Sequence, residues 1–388
     1  MLAERQPVMK SKLESICIEN FRSFRKLEVQ GLGLVNLVTG QNNSGKSTLL
    51  EAIRLMVSEV SIGVLDDVLR VREEDRVDSD PTSCDVLVEP VFPFSTLFRG
   101  HPTFPEPGKE TETLLLESVR GGQSTELTFR AGWRGSGKQK TELVLHDTDD
   151  ADSDTGPRWE PRMVVLKEGI PLRVLLWDGS GRHWSNSWKE SRPDLEEPVK
   201  VPCLYSGPAD GSRSTAFGGL WDKIALSDLE GEVVQALRLV SPEIEAVSMV
   251  AGEAGRRSRK AIVRVKGFAV PLPIRSFGDG VNRLFGMALC LVNAKGGVLL
   301  IDEFENGIHY SVLHDIWRAV FALAKRLEVQ VFATTHSWDC IEAFQKAASE
   351  VPDEGVLIRL SRHGENSLAS VFREEELAIV TREHIEVR

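Results

Sequence analysis

The stretch at residues 34–48 reads Leu-Val-Asn-Leu-Val-Thr-Gly-Gln-Asn-Asn-Ser-Gly-Lys-Ser-Thr. It begins with a short apolar run, which predicts a buried strand. Residues 40–47 then fit the phosphate-loop pattern GxxxxGK(S/T), and apolar residues from there to 57 recur at helical spacing. A strand, a glycine loop and a helix in this order predict a site for the phosphates of a nucleotide.

The residue types in this loop suit ATP and Mg²⁺. Glycine permits the tight turn that points backbone amides at the β-phosphate, and the following helix directs its positive end at the same anion. Lys46 is expected to reach the β- and γ-phosphates, and the Ser47 hydroxyl to bind Mg²⁺. The predicted ATP-binding residues of the loop are Gly40, Asn42, Asn43, Ser44, Gly45, Lys46, Ser47 and Thr48.

The pattern occurs a second time, at 132–138, without that context. The next residue there is Gln139, which has no hydroxyl for magnesium, and the chain that follows alternates like a strand. We predict a hairpin turn at 132–138.

Two further strand ends complement the loop. The run 298–301 predicts a central strand, and Asp302 and Glu303 follow it, at the edge where ligands of open α/β sheets bind. Asp302 is expected to hold Mg²⁺ through water, and Glu303 to polarise the attacking water. His336 ends a later predicted strand, from which it would hydrogen-bond a γ-phosphate oxygen.

A second glycine-bearing turn, Ser276-Phe277-Gly278-Asp279-Gly280, precedes a predicted helix over 281–292. A turn of this kind at a helix N-terminus is either an anion site or a helix cap with a flexible glycine. As an anion site, it would complete the site of a second subunit, because its own phosphate loop lies too far away in such folds.

Composition bounds the remaining possibilities. The chain has 388 residues, a net charge of −11 and five scattered cysteines without a CxxC spacing. The charge argues against bulk attraction to nucleic acid, and the cysteines indicate neither a disulfide framework nor a zinc site. No apolar signal segment or membrane span is recognisable, so we expect a cytoplasmic protein.

Alternation of strands and helices predicts an α/β P-loop NTPase, with a mainly parallel sheet and helices on both faces. We assign the ATPase core to 12–59 and 201–388. Residues 60–200 differ: prolines cluster there between 81 and 107, and strand-like runs follow. This region is predicted to be an inserted antiparallel β-rich lobe, whose tryptophans form either a small local core or a partner-binding surface.

Taken in order, these motifs resemble the ABC-type ATPase head, and more narrowly its RecF/SMC/OLD branch. The narrower likeness is carried by residues 13–24 as a strand and turn before the phosphate loop, and by the form Gly-x-Asn-x-Ser-Gly-Lys-Ser. Residues 302–309 and 334–337 look most like OLD-type bacterial defence ATPases.

The resemblance implies a homodimer that closes head to head around two ATPs, and possible higher oligomers. Ser276 and Gly278 would contact the γ-phosphate of the partner's ATP, residues 305–309 would communicate across the dimer, and Arg22 is a further candidate nucleotide contact. Gln123 is a candidate for the glutamine of the loop that normally links the γ-phosphate to the lobe. Full OLD proteins carry a C-terminal TOPRIM nuclease, and the roughly fifty residues after His336 are too few for one. The effector is therefore expected to be a separate polypeptide.

Several functions stay open. The first is a sensor or motor ATPase for a separately encoded nuclease or toxin in anti-phage defence, and the second is a RecF-like DNA-binding ATPase in recombination and repair. The second predicts DNA contact at the basic cluster 256–260, which is otherwise a solvated turn. An ATPase subunit of a transporter fits the motifs less well, and a protein that holds ATP without hydrolysing it is the remaining alternative.

Overall fold

The computed structural model describes residues 12–74, 94–102, 113–135, 159–176, 185–186, 201–208, 214–251 and 259–387. Strands with the nucleotide motifs share one sheet, whose members are β3 (Val35–Gly40), β9 (Cys203–Ser206), β13 (Val298–Ile301), β14 (Gln330–Thr334), β15 (Gly355–His363) and β16 (Asn366–Phe372). Their order is β16-β15-β3-β14-β13-β9. Every neighbouring pair in it is parallel except β15 with β16. The predicted mainly parallel sheet is confirmed.

Helices cover both faces of this sheet, as predicted. They are α1 (Lys46–Val57), α2 (Ile62–Val71), α3 (Ser214–Ile224), α4 (Asp228–Val240), α5 (Asp279–Asn293), α6 (Tyr310–Leu327), α7 (Trp338–Ala348) and α8 (Glu374–Arg382). Successive strand residues point to opposite faces. Leu299 and Ile301 therefore share a core with α5, α6 and α7, whereas Val298 and Leu300 share one with α1.

A second, antiparallel sheet packs on the α1 side. Its strands are β1 (Leu13–Phe21), β2 (Phe24–Gln30), β4 (Leu114–Arg120), β5 (Gln123–Gly135), β6 (Trp159–Lys167), β7 (Ile170–Leu176) and β8 (Ser185–Asn186). Because β1 pairs with both β2 and β4, strands from 12–59 and from 60–200 belong to one sheet. The division at 59/60 stays a prediction, but the β-rich segment extends the first hairpin of the chain.

A third sheet holds β10 (Ile244–Ala251), β11 (Arg259–Val265) and β12 (Leu272–Pro273). With the parallel sheet, the antiparallel sheet and α1 between them, the chain has an α/β P-loop fold.

The structure corrects three details. Helix α2 lies inside the segment expected to be β-rich; Ser61 caps it by accepting from the Val64 N–H. The single helix expected over 220–240 is two, α3 and α4, because Ser227 caps a new helix. Residues 132–135 continue strand β5 opposite β6 rather than turning, and 136–138 lie outside the described residues.

Candidate functional site

The phosphate loop links β3 to α1 and is shaped by two glycines. Gly40 has φ 149° and Gly45 has φ 98°, values at which a side chain is strained. A Cβ placed on Gly45 would lie 2.5 Å from the Phe24 ring, so the β1–β2 turn packs directly on the loop. The Lys46 ammonium donates to the carbonyl oxygens of Gly40 at 2.7 Å and of Gln41 at 2.9 Å. The chain thus closes the loop around its own lysine.

Three acidic side chains that follow the end of β13 act on that lysine through their charges. Burial lowers the pKa of Lys46, and the negative charges of Asp302, Glu305 and Glu303 oppose this shift. These charges act on Lys46 because β13 and β3 end at the same edge of the parallel sheet, with β14 between them. The structure therefore brings the predicted Asp302 and Glu303 to the predicted phosphate loop.

Thr334 holds Asp302 and Glu303 in place through its hydroxyl, a role that the sequence did not predict. Its hydroxyl donates to Asp302 Oδ1 at 2.5 Å and accepts from the Glu303 N–H at 2.9 Å. Glu303 has φ 51°, a left-handed conformation that is uncommon outside glycine and costs energy. A hydroxyl residue at the end of the strand next to Asp302 was the available signal.

Arg283 is a second missed residue, one turn into α5. Its side chain is buried and donates to the carbonyl oxygens of Gly207 at 2.9 Å, Asp302 at 3.3 Å and Glu303 at 3.4 Å. A buried guanidinium is costly unless it is well bonded, and here it joins α5 to the backbone of both acidic residues. Only the three-dimensional packing reveals this link.

A cavity of about 520 Å³ opens over the phosphate loop, which is within the usual size range for ligand sites. Described residues from four parts of the chain line it: Arg22 and Ser23; Asn42, Asn43, Gly45, Lys46, Ser47 and Thr48; Arg72, Glu74, Thr96 and His101; and His336. The predicted His336 thus lines the cavity, and its backbone N–H donates to Glu305 Oε1 at 2.8 Å. Asp302 and Glu303 do not line this cavity, but their negative charges act on Lys46 in the phosphate loop.

The loop and Asp302 suit Mg²⁺ held together with a nucleotide. The described residues contain no cluster of three or more His, Cys, Asp or Glu that would bind a metal alone. Mg²⁺ is typically held by one or two protein oxygens, waters and substrate phosphates. Ser47 in the cavity and the buried Asp302 carboxylate supply such oxygens. When bound, the ion would neutralise charge on the phosphates.

The Ser276 turn lies apart from this cavity. Ser276 is exposed and lies within a 3₁₀ turn over Ile274–Phe277, and Gly278 caps the start of α5 with φ 91°. A Cβ on Gly278 would meet no heavy atom within 4 Å. Neither Ser276 nor Gly278 lines the phosphate cavity of its own chain.

Other candidates receive less support. Arg256 to Ser258 lie outside the described residues, and Arg259 donates to both carboxylate oxygens of Asp222 at 2.6 Å. Gln123 begins β5 and does not line the cavity. The tryptophans between 133 and 188, which were predicted to form a local core or a partner-binding surface, have side chains that lie outside the described part of the structure. No described helix is long and apolar enough to cross a membrane.

Comparison with known proteins agrees with this geometry. The family model described as "AAA domain, putative AbiEii toxin, Type IV TA system" matches residues 35–339, from the phosphate-loop strand to beyond His336. The chain belongs to this AAA-domain family. Family membership, with the phosphate loop and the acidic strand end in place, confirms that it is a nucleotide-binding ATPase.

Individual relatives of this AAA-domain ATPase are distant. An "ATP/GTP phosphatase" of Helicobacter pylori is 24% identical over 391 residues, covering 94% of this chain and 99% of that protein. An uncharacterized protein of Methanocaldococcus jannaschii is 37% identical over 94 residues, 24% of this chain. Among solved structures, the SMC head domain from Thermotoga maritima is 12% identical, with a TM-score of 0.49, and covers 93% of this chain and 99% of that one.

Proposed function

We propose that the chain hydrolyses ATP with Mg²⁺ in a head-to-head homodimer, and that the dimer acts as sensor or motor for a separately encoded effector. One observation carries the proposal: Lys46, Asp302 and Glu303 meet at one sheet edge, while the Ser276 turn stands exposed elsewhere. A second copy that covers the loop with its Ser276 turn would complete both sites at once.

In this proposal Glu303 polarises the attacking water, Asp302 and Ser47 hold Mg²⁺, and His336 contacts the γ-phosphate. ATP binds across both subunits and stabilises the closed dimer, and hydrolysis removes those contacts so that the dimer opens. Arg283 would pass the state of the Ser276 turn to Asp302 and Glu303, because it bonds α5 to both backbones.

The effector is proposed to be a nuclease or toxin in anti-phage defence, as in OLD-like systems. The description of the matched family names a toxin–antitoxin system, which supports a partner encoded nearby. The RecF-like alternative has less support, because Arg259 of the basic cluster is engaged by Asp222.

The test is light scattering of the Glu303→Gln variant, which should bind ATP without turning it over. Addition of ATP and Mg²⁺ should convert monomer to dimer, and Lys46→Ala combined with Glu303→Gln should stay monomeric. A Glu303→Gln protein that binds ATP but remains monomeric would overturn the dimer.

The effector is then sought by co-purifying tagged Glu303→Gln with the products of the adjacent genes, with and without ATP. Co-purification that is identical in both conditions, and in the Lys46→Ala variant, would contradict an ATP-controlled partner.

A further inference from the structure

We propose that Arg72 is the arginine of this chain that binds the phosphates of the nucleotide, and that Glu51 positions it. The inference deepens the proposed ATP site and rests on it. Sequence resemblance favours Arg22 for such a contact, and the structure assigns the two arginines different tasks.

Arg72 lies immediately after α2 and faces the phosphate cavity. Its Nη2 donates to the Thr48 hydroxyl at 3.4 Å, and Thr48 directly follows the predicted magnesium ligand Ser47. The side chain is 36% exposed, and Nη1 has no hydrogen-bond partner among the described residues. One edge of the guanidinium is therefore within reach of a group bound at the first turn of α1.

Arg22 lines the same cavity but is already neutralised. Its side chain is 5% exposed, and Nη1 and Nη2 donate to the two oxygens of Glu74 at 2.7 and 3.0 Å. Its Nε lies 2.8 Å from the Glu51 carboxylate. Three nitrogens facing two carboxylates leave no edge for a phosphate, so Arg22 stabilises the wall of the cavity.

Glu51 is placed to aim Arg72. It lies on α1, its side chain is 12% exposed, and Oε1 accepts from Arg72 Nε at 2.7 Å. Burial raises the pKa of Glu51, and the charges of Arg22 and Arg72 oppose that shift. A carboxylate bound at Nε fixes the planar guanidinium and leaves its Nη edge for bidentate contact with phosphate oxygens.

Charge at the loop favours this use of Arg72. The Lys46 ammonium donates to loop carbonyls and feels the negative charges of three carboxylates, so a bound polyphosphate gains from a further cation. Arg72 comes from the segment after α1, outside the recognised motifs. Because Glu51 on α1 holds the Arg72 guanidinium, the position of this guanidinium is tied to the helix that follows the phosphate loop.

The experiment measures affinity by competition with a fluorescent ATP analogue, for ATP, ADP and inorganic tripolyphosphate. Arg72→Gln should weaken all three about 10- to 100-fold, because hydrogen bonds to charged groups contribute about 1.5–3 kcal/mol. Arg72→Lys should recover part of the loss, and Glu51→Gln should weaken the same three ligands. The control is Arg70→Gln: Arg70 lies in the last turn of α2, pairs with Asp67 and does not line the cavity. It should bind like the unaltered protein.

Thermal unfolding of each variant separates binding from folding, since Arg72 is partly exposed and its variants should melt like the control. Unchanged affinity in a folded Arg72→Gln protein overturns the inference. A loss for ATP and ADP but not for tripolyphosphate also overturns it, because Arg72 would then contact the nucleoside. If the unaltered protein binds ATP in a Lys46-dependent manner, such results leave the proposed function standing. If it binds no ATP at all, the proposed function itself fails.

Discussion

The phosphate loop and the Ser276 turn are both glycine-bearing turns that begin a helix, yet their surroundings are opposite. In the loop, Gly45 packs against Phe24 and Lys46 is bonded to carbonyls of its own chain. At the turn, Ser276 is exposed and Gly278 has open space where a side chain would stand. The phosphate loop is therefore packed against its own chain, whereas the Ser276 turn is exposed at the surface.

The two regions are nevertheless joined through the interior. Helix α5 starts at the Ser276 turn, and its Arg283 bonds the backbones of Asp302 and Glu303. A second subunit that contacts the Ser276 turn can therefore shift Asp302 and Glu303 of the same chain through α5 and Arg283. This comparison predicts that damage to the loop acts on binding, whereas damage to the turn acts on turnover after binding.

The largest effect is expected from Lys46→Ala. The variant loses the cation expected at the β- and γ-phosphates and the hydrogen bonds that close the loop, so turnover should fall by about 10³-fold or more, with ATP affinity lost as well. Phosphate release and direct ATP binding measure both. Lys295→Ala, on an exposed lysine, is the control. Retained ATP affinity in a folded Lys46→Ala protein would break the assignment of the loop.

Glu303→Gln should lower turnover by about 10²- to 10⁴-fold, the usual range for loss of a general base, while ATP affinity is retained. Single-turnover hydrolysis and equilibrium binding separate the two effects. Unchanged turnover would remove Glu303 from the chemistry.

Thr334→Val should lower kcat by about 10- to 100-fold with little change in ATP affinity. Valine keeps the shape but leaves the Glu303 N–H and the Asp302 carboxylate without the hydroxyl, at a cost of about 1–3 kcal/mol. Thr381→Val, on α8, is the matched control. Equal kinetics for the two variants would show that Thr334 does not hold the acidic residues.

The smallest effect is expected from Gly278→Ala. No atom blocks the added methyl group, so the cost is backbone strain of about 1–3 kcal/mol at φ 91°, seen as reduced stability to denaturant. ATP affinity of the monomer should stay unchanged. Gly45→Ala, which collides with Phe24, should lose that affinity. Similar losses in both variants would erase the distinction between loop and turn.

The sequence predicted those site residues that directly follow a buried strand along the chain. The loop, the acidic pair and His336 each follow a buried strand, and parallel strands place their ends at one edge. Arg72, Thr334 and Arg283 escaped because their roles depend on contacts between distant elements. Helix α2 was missed for a related reason: its ten residues stand beside long polar and proline-rich chain that favoured a β-rich reading.

We propose that each ATP site is built from the phosphate loop of one subunit and the Ser276 turn of the other. Mixing Lys46→Ala with Ser276→Arg tests it most directly, since each variant alone should be inactive. In a mixed dimer both defects fall on one site and the other site is intact. Turnover should recover to about a quarter of the unaltered level at equal mixing, the share expected from random pairing. Turnover that stays at the sum of the two separate variants would contradict a shared site.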